Sequence, residues 1–223
     1  MKALPWLALL GFCVVGPAEA AEAKSLSLVT VNSEPTIKGG KTVDVAALQA
    51  LVEKEPDNRR ARFELVRGLM SAKKLEEAKV AAIEWRKSDA YNLVVVRLLG
   101  DIYSELGDTK RAMRTYSAVV ELLPKDHKAH RALASVLKQN GQLEAAKARL
   151  SAALEIRPDD SRLRFELADV VQRLGDYDRA RSLFERIVDS EDTPELLRYP
   201  AKERLAQSYK RQRTRAQKAG KTV

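Results

Sequence analysis

Leu65, Leu99, Leu133 and Leu167 stand 34 residues apart, and Ala78, Ala112, Ala146 and Ala180 keep the same step. Gly107, Gly141 and Gly175 follow it, as do Pro124 and Pro158. The residues between them are dominated by Ala, Leu, Glu, Lys and Arg, all strong helix formers. Only 10 glycines and 8 prolines interrupt the 223 residues. A 34-residue period in such a chain points to stacked helical hairpins, one elongated unit rather than several small domains. A stack of this kind offers an extended concave surface and no obvious catalytic cleft.

The unit beginning near residue 93 shows the local logic. Val96, Leu99, Gly100 and Tyr103 make an i, i+3, i+4, i+7 apolar stripe, the mark of a half-buried helix. Gly107 then ends that helix, since glycine takes a left-handed conformation most cheaply. Asp108 is placed to cap the following helix. Ala112, Tyr116 and Val119 form the facing stripe, and Pro124 closes the unit. Gly100 and Ala112 are small, which lets the two helices approach until ridges enter grooves.

The same positions recur as Leu133, Ala134, Leu137, Gly141, Ala146, Leu150, Ala153 and Pro158, then as Leu167, Ala168, Val171, Gly175, Ala180, Phe184 and Ile187. The first unit diverges: Leu65, Val66, Leu69, Ala78, Ala82 and Trp85 are in place, but Lys73 and Ala90 replace the glycine and proline. This pattern resembles the tetratricopeptide-repeat (TPR) family over residues 43–193. The resemblance implies an all-α, right-handed α-solenoid of about four full repeats, with a half-repeat in front and a capping helix behind. Position four of the motif, usually large and apolar, is Arg62, His130 and Arg164 in three units, which is expected to loosen packing there. A weaker likeness is to the TPR region of outer-membrane lipoprotein-export factors, which continue into a β-barrel.

Residues 1–20 read as a secretory signal peptide: Met1-Lys2, an apolar run from Ala3 to Gly16, and a small-x-small end at Ala18-Glu19-Ala20. Cleavage near Ala20 and retention as an anchor are the two outcomes; the run is short for a membrane span. The one cysteine, Cys13, lies within it, and Phe12 before it argues against a lipidation site. Residues 21–42 read as a flexible linker, 43–193 as the repeat domain, 194–212 as a capping helix and 213–223 as a basic disordered tail. A signal with this compact basic start suits export to a bacterial periplasm.

The net charge is +9. From residue 195 onward there are nine Lys/Arg against Glu195 and Glu203, so 9 − 2 = +7 of it falls there. Contact with an anionic membrane surface through residues 198–221, contact with an acidic partner, and simple solubilisation all fit this stretch. Secretion and sparse aromatics argue against nucleic acid.

No phosphate-binding loop, nucleophile elbow, His-Glu-x-x-His or Cys-x-x-Cys is present. The sequence therefore assigns no catalytic residue, cofactor or metal, and reads as a non-enzymatic protein. His127 and His130, three apart, read as packed or exposed residues rather than ligands. What the TPR resemblance does imply is a protein or peptide partner held on the first helix of each hairpin, at motif positions two, five, nine, twelve and thirteen. These positions hold eight basic residues (Arg60, Arg67, Arg97, Lys128, Arg131, Lys138, Arg162, Arg173) and three acidic ones (Asp101, Glu105, Asp169). Phe63, Phe165 and Met70 add apolar anchors, and arginine with aromatics is a common hot-spot mixture. The partner-binding set is thus Phe63, Arg67, Arg97, Asp101, Arg131, Lys138, Phe165, Asp169 and Arg173, suited to an acidic segment. The asparagine positions of the family's carboxylate clamp hold Arg67, Asp101, Ser135 and Asp169, so that clamp is not expected. The corresponding biology is an adaptor in envelope assembly or secretion, or an accessory subunit of polysaccharide or peptidoglycan machinery.

Overall fold

The computed structural model describes residues 44–218 and Gly220. The expected signal peptide and linker lie outside the described residues. Among the described residues there are ten α-helices and no strand. Helix α1 (Val45–Lys54) precedes four hairpins: α2 (Arg59–Ser71) with α3 (Leu75–Ser88), α4 (Leu93–Glu105) with α5 (Thr109–Leu122), α6 (His127–Gln139) with α7 (Leu143–Ile156), and α8 (Ser161–Arg173) with α9 (Tyr177–Asp189). Helix α10 (Glu195–Lys218) follows. Each helix packs on the next in chain order, and first helices also touch first helices, α2 on α4 and α8 on α10. The described part is an α-solenoid of helical hairpins.

The repeat reaches the caps. Asn58, Asn92, Asp126 and Asp160, spaced by the same 34 residues, each accept a backbone N–H in the first turn of α2, α4, α6 and α8. Each cap contributes about 1 kcal/mol. Asp108 caps α5 in the same way, through Arg111 N. The hairpin turns need one residue with positive φ, and Gly107, Gly141 and Gly175 supply it at 76°, 76° and 86°. Lys73 takes the same role at 60°, a strain of about 1–2 kcal/mol for a residue with a Cβ. The next equivalent position is Tyr209. An aromatic residue strongly disfavours that conformation, and α10 continues unbroken to Lys218, past residue 212 and into the stretch read as a disordered tail.

The signature residues form the interior. Leu65, Leu99, Leu133 and Leu167 are all buried, and the four alanines at 78, 112, 146 and 180 are fully enclosed. Gly100 closely approaches the Tyr116 ring, and the equivalent positions in the other hairpins hold Val66 and Ala82, Ala134 and Leu150, and Ala168 and Phe184, all with low exposure. Bulk on one helix is traded against bulk on the other, as close packing requires. Val45, Leu48 and Val52 of α1 cover the front of the stack. Ala201 and Leu205 of α10 cover the back, where the Gln172 amide donates to Arg204 O at 3.2 Å and Ser208 Oγ to Tyr177 O at 3.2 Å. The close-approach position in α10 is Lys202, which is exposed. Seating another helix there would desolvate an ammonium.

The polar residues at position four do not simply loosen the packing. The Arg62 and Arg164 guanidinium groups donate to the carbonyls of Pro56 and Pro158, and His130 Nε2 bonds Pro124 O at 3.0 Å. In each case the acceptor is the closing proline six residues earlier. Arg198 serves the last turn, donating to Ser190 O, Glu191 O and Thr193 O. A loop carbonyl left over at a helix end needs a partner, and the side chain provides it. The unit without a closing proline, at Ala90, has Val96 at position four and no such bond to make.

Candidate functional site

Each first helix turns one face inward to its hairpin and leaves motif positions two, five and nine on the other side. Ion pairs between neighbouring units tie Arg97 and Arg131, at position five, and Asp169, at position nine, to charges on the adjoining unit. Lys73 Nζ lies 3.0 Å from Glu105, Arg97 3.8 Å from Asp126, Arg131 3.9 Å from Glu166 and Lys138 3.9 Å from Asp169. Asp169 also meets Arg204 of α10 at 3.5 Å. The ladder links all four units and the final helix. It joins cations that the sequence singled out to acids that it did not, Glu166 and Asp126.

The nine residues of the expected set fall into four groups. Arg67 and Arg173 are exposed. Arg131, Lys138 and Asp169 are half-buried members of the ladder, in pairs long enough to be loose. Such partly exposed pairs contribute about 0–1 kcal/mol each, so a ligand carboxylate can compete for the cation at little cost. Phe63 and Phe165 are half-buried and belong to the packing. Phe165 sits edge-on to Phe184, ring centres 5.7 Å apart at 70°. Met70 is buried and Gln172 almost fully so.

Arg97 and Asp101 belong to an inner network. The Tyr116 hydroxyl donates to Asp101 Oδ1, and Asp101 takes up the charge of Arg97 and Arg67. Burial pushes the Asp101 carboxyl above its usual range, against the opposing pull of the Tyr116 hydrogen bond and the two arginines. Burial and the facing carboxylate likewise push the Tyr116 phenol up. Asp126 meanwhile caps α6 through one oxygen while the other faces Arg97.

Of the two histidines, His130 is 5% exposed and commits Nε2 to Pro124. His127 at the start of α6 is held below its usual range by burial and by Arg157. Among the described residues no group of three His, Cys, Asp or Glu is gathered as for a metal, and no helix is long and apolar enough to cross a membrane.

Sequence reasoning missed the contribution of α10. Its residues Leu196, Tyr199 and Glu203 occupy motif positions two, five and nine of a fifth unit, and all three are exposed. The signal was available: 196 is 162 plus one period.

Two family models described as Tetratricopeptide repeat match residues 97–146 and 137–198. The chain is a tetratricopeptide-repeat protein. Solved structures carry the same fold. A tetratricopeptide repeat protein from Parabacteroides merdae ATCC 43184 superposes with a TM-score of 0.64 at 21% identity, over 74% of this chain and 65% of that one. The matched part is thus just under two thirds of that relative. A thermophilic TPR protein of Thermus thermophilus gives 0.60 at 17%, over 73% and 89%. YrrB, a TPR protein with an unusual peptide-binding site, gives 0.59 at 18%, over 71% and 81%. No curated protein matches the sequence. A TPR stack is a protein-interaction scaffold, since it buries its apolar residues between repeats and presents long polar faces to partners.

Proposed function

We propose that this TPR protein is an exported, non-enzymatic adaptor of a Gram-negative periplasm, holding a protein segment along the first-helix face during envelope assembly or secretion. The observation that carries the binding face is the ion-pair ladder, in which each of the first three units pairs a cation with an acid of the next, loosely at Arg131 and Lys138. A partner carboxylate replacing Glu166 or Asp169 beside Arg131 or Lys138 keeps the cation paired. Binding therefore exchanges one weak ion pair for another and gains the contacts around it. A peptide-binding site on YrrB, which shares the fold, supports this use of the stack. Export rests on the signal-like residues 1–20.

Exposed residues make the cleanest test. Arg97 is held beside Asp126 and Asp101, so reversing its charge would disturb the fold as well as the face. Arg67→Glu with Arg173→Glu changes two exposed positions instead. The double variant should stay folded at the assay temperature, checked by helical circular dichroism, and lose capture of a specific prey from envelope extract. Unchanged capture would reject the first-helix face. Fractionation of the native protein into cytoplasm rather than periplasm would reject the location.

A further inference from the structure

Helix α10 carries a continuous exposed stripe at helical spacing: Leu196, Tyr199, Glu203, Gln207, Lys210, Thr214 and Lys218. Its opposite side is spent on the stack through Ala201, Leu205 and Ser208. The stripe is polarised along its length. At the beginning, Leu196 is 86% and Tyr199 65% exposed, far more than the other apolar residues of the first helices. At the end, Lys210, Arg211 and Lys218 surround a shallow cavity of about 500 Å³ that Tyr177 and Thr214 complete. No acid lies in α10 after Glu203. Fourteen helical steps separate Leu196 from Lys210, about 21 Å at the helical rise, or six to seven residues of extended chain at about 3.3 Å each.

We infer that this face of α10 binds an extended acidic peptide, with apolar side chains on Leu196 and Tyr199 and carboxylates in the Lys210–Arg211–Lys218 cavity. The inference rests on the binding-face reading above and names the chemistry of the segment that its last helix takes. Charge complementarity sets the orientation. Three cations attract carboxylates at one end, Glu203 repels them in the middle, and the other end offers only apolar surface. Tyr177 and Thr214 close the cavity beside the three cations, the Thr214 hydroxyl already donating to Lys210 O. An anionic bilayer fits the same helix less well. A helix lying on a membrane needs apolar and basic residues side by side along its whole length. Here they are separated along the axis, with Glu203 facing the surface between them.

The test uses the full chain and a fluorescently labelled peptide: two leucines, four serines and three aspartates in that order. Fluorescence anisotropy should show saturable binding that weakens with salt. Leu196→Ser with Tyr199→Ser, and separately Lys210→Gln with Arg211→Gln, should each weaken it at least about tenfold, and the second pair should flatten the salt dependence. Lys110→Gln with Arg114→Gln, exposed on the second helix α5, should leave it unchanged, and Arg67→Glu with Arg131→Glu reads the first-helix face separately. Binding that is absent, or indifferent to both α10 pairs, overturns the inference. If it depends instead on Arg67 and Arg131, the first-helix face stands and the α10 assignment falls. Sedimentation with phosphatidylglycerol vesicles through Lys210 and Arg211, without peptide binding, also overturns it, in favour of a lipid surface.

Discussion

Replacing Gly100 by alanine sets two effects of opposite sign against each other. In the middle of α4, glycine costs about 1 kcal/mol of helix stability relative to alanine, so an unhindered substitution would stabilise the protein. The hairpin does not leave room. A Cβ at residue 100 would lie 2.7 Å from Tyr116 Cε1 and 2.9 Å from Cζ. The ring cannot swing aside freely, because Tyr116 is 4% exposed and its hydroxyl is bonded to Asp101, the residue next to the glycine. Overpacking of this kind costs about 1–3 kcal/mol. Moving the ring would add about 1–3 kcal/mol for the stranded carboxylate. Gly100→Ala should therefore destabilise by about 1 kcal/mol net, a fall of about 2–4 °C in melting temperature for a chain of this size. Urea and thermal unfolding followed by helical circular dichroism measure it. A second variant isolates the cause. Gly100→Ala with Asp101→Ser and Tyr116→Leu installs the trio found at Ala134, Ser135 and Leu150, and should regain at least half of the loss. A single Gly100→Ala variant that melts higher than wild type would refute the packing argument.

Three further outcomes follow from particular residues. Lys73→Gly relieves the left-handed strain of about 1–2 kcal/mol but loses an exposed ion pair and some unfolded-state stiffness; the unfolding free energy should rise by about 0.5 kcal/mol, and a fall would count against it. Leu133→Ala, at a fully packed position, should cost about 2–5 kcal/mol; a loss under about 1 kcal/mol would mean that the repeat register is wrong. Because burial raises the Asp101 carboxyl above 3.8, the folded state holds its proton more tightly than the unfolded one. That contribution is present below 3.8 and is lost as pH rises through the raised folded value. Asp101→Asn keeps an acceptor for Tyr116 and removes the loss, so its stability relative to wild type should grow with pH from about 4 upward. A difference independent of pH would contradict the assignment.

The hairpins were legible because their determinants are local and recur. The same 34-residue step carries the leucines, the alanines and the turn glycines, and each acts within its own unit. The bonds made by Arg62, His130 and Arg164 were less so. Their polarity at an apolar position reads as a defect until the closing prolines six residues earlier present their carbonyls. The end of the stack is legible in retrospect. Lys202 and Tyr209 break the motif at the two positions where another helix would have to approach or turn.

The candidate face divides along the same line. The repeat register, read through the TPR resemblance, placed Arg67, Arg131, Lys138, Asp169 and Arg173 on the first-helix face, because membership of a helix face depends only on spacing along one segment. It could not tell that Arg97 and Asp101 belong to a buried network with Tyr116, or that Phe165 is committed to Phe184. Nor could it pair Arg131 with Glu166 and Lys138 with Asp169. Those contacts depend on how far one unit is offset and rotated against the next, a quantity set by the packed side chains between them. The sequence by itself determined the repeating unit and its register; the stacking of those units decided which charges are paired, which stay loose, and that the last helix continues the face.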